Sequence, residues 1–206
     1  MKLSKTDKRK FEYINHLHFD KQPPYVLTWD EYQKRPNSDW LFPKQLEIYF
    51  EKVFVDNKDI IESKTILDIG CEYGSKIPWF DKFNPEKITC IDPSEYNITL
   101  ANHVANISDQ KCRVSCKCIS AEEYNLEADT IFILSVNQFF ENQQMIYSKL
   151  KCENLVIDTW LDRNISYNEL LTCFKDNYSL ENEWYYNEKR NRVILRFKTA
   201  GAKSNE

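Results

Sequence analysis

Two aspartates stand where a chain could hold a polar ligand. Asp68 lies near the end of residues 64–70 (KTILDIG), and Asp92 closes residues 87–92 (KITCID). Both runs are short and rich in β-branched residues, which reads as two strands. A carboxylate at one strand end can hold an ammonium group. An acidic residue at the end of the next strand, some twenty residues on, can accept from ribose hydroxyls. Between them, Gly70 and Gly74 bracket a turn in a chain with only 3 glycines. Gly70 allows a sharp turn and close approach of a ligand to the backbone, and Gly74 allows tight packing where a helix begins. Glu72 stands between the two glycines, where a dinucleotide-binding loop needs a second glycine to admit a pyrophosphate, so nicotinamide chemistry is the least favoured reading.

The segment Asp68-Ile69-Gly70-Cys71-Glu72-Tyr73-Gly74 resembles motif I of the class I S-adenosylmethionine-dependent methyltransferases. The resemblance is specific over residues 64–136 and architectural elsewhere. It implies S-adenosylmethionine as cofactor, with Asp68, Gly70, Cys71 and Gly74 shaping the methionine side. Asp92, followed by Pro93 and Ser94, would hold the adenosyl ribose. Ser120 and Ala121, after a third strand, would meet the adenine. Ser120 replaces the family's usual Asp, and residues 120–123 also read as a helix N-terminus. The end of a fourth strand, Ser135 with Asn137 and Gln138, would face the methyl group and the acceptor. Ser135 is assigned to the cofactor, and Asn137 and Gln138 are the candidate catalytic residues. Methyl transfer is an in-line displacement in which positioning and desolvation carry much of the rate. A general base is required only when the nucleophile must lose a proton.

These residues need a parallel sheet to bring them together. Further strand-like runs occur at residues 112–119, 130–136 and 154–158, separated by segments of helical texture, which implies crossover helices on both faces. Residues 183–186 and 192–197 are joined by a polar stretch too short for a crossover, which implies an antiparallel hairpin. The expected fold is α/β: a Rossmann-like doubly wound sheet of five parallel strands plus a C-terminal antiparallel hairpin. Residues 1–60, with Pro23, Pro24, Pro36, Pro43 and several aromatics, read as an N-terminal helical cap or lid. Within it, residues 44–54 carry Leu46, Tyr49, Phe50, Val53 and Phe54 at helical spacing. Residues 61–199 form the cofactor-binding core, and residues 200–206 a disordered tail.

The 206 residues are 42% hydrophobic and 29% charged, ordinary globular values that exclude wholesale disorder. The net charge of −4 disfavours long nucleic acids, whose binding is dominated by phosphate neutralisation. A small-molecule acceptor is therefore preferred. RNA such as tRNA is the alternative, because Lys2, Lys5, Lys8, Arg9 and Lys10 cluster at the N-terminus. A non-catalytic scaffold subunit that keeps the cofactor fold is a further alternative. No apolar run is long enough for a membrane span, and no signal-peptide core precedes the first run, so no membrane partner and a cytoplasmic location are expected. The 7 cysteines read as free thiols. Cys112, Cys116 and Cys118 alternate onto one strand face, which reads as buried thiols and no metal site.

Overall fold

The computed structural model describes residues 49, 51–107, 111–134, 136, 139–160, 167–187 and 192–200. Most of the expected cap (residues 1–48), the strand-end residues Ser135, Asn137 and Gln138, and tail residues 201–206 lie outside the described residues.

Seven strands form one sheet: β1 (Thr65–Ile69), β2 (Lys87–Asp92), β3 (Arg113–Cys118), β4 (Thr130–Leu134), β5 (Asn154–Trp160), β6 (Tyr178–Asn187) and β7 (Arg192–Thr199), in the order β3-β2-β1-β4-β5-β7-β6. The first five pair in parallel, while β7 runs antiparallel to both β5 and β6. This is the expected doubly wound sheet with its hairpin. The hairpin is entered earlier than residue 183: β6 spans ten residues, broken by register shifts between Leu180 and Asn182 and between Tyr185 and Asn187. At the other boundary, β4 stops at Leu134, two residues short of the expected end.

Strand alternation sorts the side chains into two cores, one per face. Ile66, Ile88, Phe132, Val156 and Ile194 face one cluster, and Leu67, Ile91, Ile131, Ile157 and Leu195 the other. On the first face lie α1 (Ile77–Asp81), which carries Pro78 in its opening turn, and α2 (Glu95–Ile107), which buries Ile98, Ala101 and Val104 along one stripe. Chain from the expected cap also packs here. Tyr49, Val53 and Phe54 are buried, the latter two on a π-helical turn (Glu51–Val55), and Phe54 meets Phe80 edge-on at a centroid distance of 5.0 Å. The helical spacing read for residues 44–54 is thus a core-packing signal where it is described. On the second face lie α3 (Gln143–Lys149), capped by the Asn142 side chain accepting from Met145 N at 3.0 Å, and α4 (Tyr167–Phe174), which buries Leu170 and Phe174.

A buried ion pair holds β7 in the sheet. Arg192 of β7 donates from Nε to Asp158 Oδ1 of β5 at 2.7 Å and from a second nitrogen to Oδ2, and its guanidinium lies over the Tyr49 ring. Asp158 is fully buried and Arg192 nearly so. Removing one partner strands the other charge in the core, so Asp158→Asn should lower stability by about 3–5 kcal/mol. Urea unfolding of the variant beside wild type measures this.

Candidate functional site

The β1–α1 connection leaves the sheet at Gly70 and turns back over β2. Gly70 N and Cys71 N both donate to Ile91 O, at 2.9 and 3.1 Å, and Gly74 N donates to Cys71 O at 3.0 Å. Three residues of this turn have left-handed backbone: Gly70 (φ 68°), Glu72 (φ 51°) and Gly74 (φ 80°). Glycine adopts such angles without strain, whereas a side chain costs about 1–2 kcal/mol. Glu72 is held in that conformation by its own N–H, which donates to Asp92 Oδ2 at 3.1 Å. The middle position therefore keeps the backbone shape that a glycine there would take.

Both framing glycines are fixed by close neighbours. A Cβ on Gly74 would fall 2.9 Å from the Ala101 backbone of α2, so this glycine serves the packing of α2 against the turn. A Cβ on Gly70 would fall 2.5 Å from Val136 Cγ1. Val136, just past β4, thus seals the face of Gly70 and belongs to the site. Its only sequence signal was its place at a strand end beside the motif, where an apolar residue reads as ordinary core.

Asp68 has no exposed surface. It pairs in register with Cys90 on β2 and Phe132 on β4, so apolar or weakly polar side chains flank it. Neither carboxylate oxygen accepts a hydrogen bond. Burial pushes its carboxyl up to about 6, against the pull of the Lys76 ammonium, whose Nζ stands 3.4 Å from Oδ2. Lys76 also donates to Gly70 O at 3.3 Å. Burial disfavours charge on Lys76, but Asp68, with Glu72 behind it, overrides this and holds the ammonium protonated. Sequence reading missed Lys76, because a lysine in a helical stretch reads as solvated surface.

Asp92 ends β2 on the same face. Its Oδ1 accepts from Ser94 N at 2.9 Å and from Asn97 Nδ2 at 3.1 Å, and its Oδ2 from Glu72 N. Three donors occupy a carboxylate that has about four acceptor positions, leaving about one for a further donor. Ser94 starts α2, its Oγ accepting from Asn97 N at 3.3 Å, and Pro93 is exposed beside it. Ser120 is half-buried and Ala121 buried just past β3. Ser120 O accepts from both Glu123 N and Tyr124 N, but the segment is a turn, and no helix starts there as residues 120–123 suggested. Cys71 is fully buried beneath the turn.

Of the three cysteines expected on one buried face, Cys112 and Cys116 pack against the core but Cys118 is exposed. Cys118 ends β3, which is the edge strand of the sheet among the described residues. Hydrogen bonding with Cys116 and Cys71, then burial, pushes the Cys90 thiol far above its ordinary value and keeps it protonated. Among the described residues, no group of three or more His, Cys, Asp or Glu is arranged to hold a metal ion.

The ends of β1, β2 and β3 thus converge on one edge of the sheet, at the switch point where the strand order reverses. Residues 67–151, which span this edge, match a family model described as a methyltransferase domain. The chain thus carries a methyltransferase domain over this edge, and its fold is shared with S-adenosylmethionine-dependent methyltransferases. Magnesium protoporphyrin IX methyltransferase from Synechocystis, solved with S-adenosylmethionine bound, superposes with a TM-score of 0.64 at 14% identity, covering 97% of this chain and 100% of that one. An S-adenosylmethionine-dependent methyltransferase from Aquifex aeolicus gives 0.62 at 17% identity, over 77% of this chain and 94% of that one. The N-methyltransferase NodS from Bradyrhizobium japonicum gives 0.58 at 13%, over 76% and 97%. No curated protein sequence matches the chain. The site fits S-adenosylmethionine, the ligand of the Synechocystis enzyme: the two Asp68 oxygens without a hydrogen bond suit a cationic donor, and Asp92 keeps room for a hydroxyl.

The Gly70–Val136 contact sets the shape of this edge. Gly70→Ala should lower stability by about 2–4 kcal/mol, combining left-handed strain with overpacking. Adding Val136→Ala should recover the overpacking share while the strain remains. A chemical denaturation cycle over the two single variants and the double variant measures both shares.

Proposed function

We propose that this chain is an S-adenosylmethionine-dependent methyltransferase that acts on a small-molecule acceptor that is not a polyanion. The observation that carries this is the charge of the active edge. Among the described residues, the segments following β1 to β4 present Glu72, Glu95, Glu122, Glu123 and Glu141, against Lys76, which is buried and already paired. Such an edge attracts a sulfonium and repels phosphate. The net charge of −4 works the same way over the whole chain.

The proposed residue roles combine the motif resemblance with the arrangement of Asp68, Asp92 and the glycine turn. Asp68 accepts the α-ammonium of the cofactor, and the Gly70–Gly74 turn with Cys71 backs the methionine portion. Asp92, fixed by its three internal donors, takes a ribose hydroxyl, with Pro93 bounding the ribose. Ser120 and Ala121 bound the adenine. By the resemblance of the residues after β4, Ser135 is assigned to the methionine end, and Asn137 and Gln138 to the acceptor. The chemistry supplied on binding is an electrophilic methyl group carried on a sulfonium. The protein's part is to align the acceptor behind that methyl and exclude water.

Three measurements test this reading. In thermal unfolding, S-adenosylmethionine and S-adenosylhomocysteine should each raise the midpoint and NAD should not. Asp92→Ala should abolish the rise. A rise with NAD alone would sink the cofactor assignment. With radiolabelled methyl donor and a cell extract split into low-molecular-weight and RNA fractions, label should enter the former, and label confined to RNA would overturn the acceptor class. Affinity should also depend on pH, because the ammonium binds the ionised Asp68. As pH falls below about 6 that carboxylate takes a proton, and the affinity for S-adenosylhomocysteine measured by calorimetry should drop, approaching about tenfold per pH unit. Asp68→Asn should flatten this dependence.

A further inference from the structure

The Lys76–Asp68 pair poses a problem of charge. Asp68, the ion-pair partner of the Lys76 ammonium, and Gly70 O, its acceptor, lie at the methionine end of the site, and the cofactor's own ammonium is assigned to Asp68. Two ammonium groups on one buried carboxylate would leave a positive charge unbalanced in a region where Lys76 is only 8% exposed. An unpaired buried charge is costly, so whatever binds here must bring an anion with it. The amino-acid end of the cofactor brings one: it is a zwitterion, and Asp68 with Lys76 is the complementary arrangement of opposite charges.

The existing contact suits an exchange. At 3.4 Å it lacks hydrogen-bond geometry, since neither Asp68 oxygen accepts a hydrogen bond, so Lys76 is held by charge and by one carbonyl. Its stem of four carbons lets the ammonium swing a few ångströms by rotation alone. We propose that Lys76 binds the α-carboxylate of the cofactor, its ammonium passing from Asp68 to that carboxylate as the cofactor's α-ammonium takes its place on Asp68. This rests on the reading that Asp68 holds the α-ammonium. It makes Lys76 a specificity residue that selects ligands with an intact amino acid.

The test pairs two ligands with two proteins. Calorimetry on the full chain compares S-adenosylhomocysteine with its decarboxylated analogue, for wild type and for Lys76→Met, with 5′-methylthioadenosine as a probe of the adenosine subsite. Loss of the ligand carboxylate should weaken wild-type binding by about tenfold or more, the worth of one charged hydrogen bond. It should change Lys76→Met binding by less than about twofold, while 5′-methylthioadenosine binds both proteins alike. Lys76→Gln, which keeps a donor toward Asp68, should behave as Lys76→Met does and replaces it if that variant does not fold. An equal penalty in wild type and variant would overturn the proposal, as would tighter binding of S-adenosylhomocysteine to the variant, which would make Lys76 a competitor. Wild type that binds S-adenosylhomocysteine but ignores its carboxylate would overturn this inference alone. Wild type that binds neither adenosyl ligand would overturn the cofactor reading and this inference with it.

Discussion

A carboxylate with no access to solvent sits at the end of the central strand. Asp68 belongs to β1, which pairs with β2 on one side and β4 on the other, and register fixes Cys90 and Phe132 as its flanking neighbours. Such a group must be matched by a cation or take up a proton. The structure does some of each: Lys76 is drawn in under the turn, and the carboxyl is lifted toward neutrality. The turn between them has to leave room for that pairing. It does so with left-handed residues at Gly70, Glu72 and Gly74, pinned to the neighbouring strand through Ile91 O and Asp92.

The second carboxylate has the opposite character. Asp92 is held by three backbone and amide donors and acts as a brace, tying the glycine turn to the start of α2 through Glu72 N, Ser94 N and Asn97. One aspartate is thus short of donors and the other nearly full. Period-two alternation places both on the same face of the sheet, with Ile66 and Ile88 behind them in the same core. A common face lets two strand ends serve one ligand. The same alternation commits the opposite face to α3 and α4.

Much of this is legible in the sequence because β1, β2, β4 and β5 are short, rich in β-branched residues and buried on both faces, a pattern that few other elements imitate. Residues 87–92 were read with the bounds they have, and the glycine turn was located by the scarcity of glycine. β6 was read too short because it lies at the sheet edge. There Ser179, Glu181, Asn182 and Glu183 face solvent, and polar residues carry no strand signal. The turn after β3 looked like a capped helix because Ser-x-x-Glu is written the same way in both. Lys76 was invisible for a deeper reason: local sequence reports a residue's type, whereas a buried lysine is defined by the carboxylate that folding brings to it. Val136 was hidden similarly, since its role depends on the missing side chain of Gly70.

The position of β7 bears on how the molecule can be made. During synthesis β6 emerges before β7, yet β7 is the strand that lies against β5. When β6 first appears, the neighbour it will pair with does not yet exist, and the edge of β5 stands open. β5 gains its neighbour on that side only when β7 arrives, and the Asp158–Arg192 pair closes at that step. This buried charge pair is thereby a late event, which leaves an open strand edge as the vulnerable surface of the nascent chain.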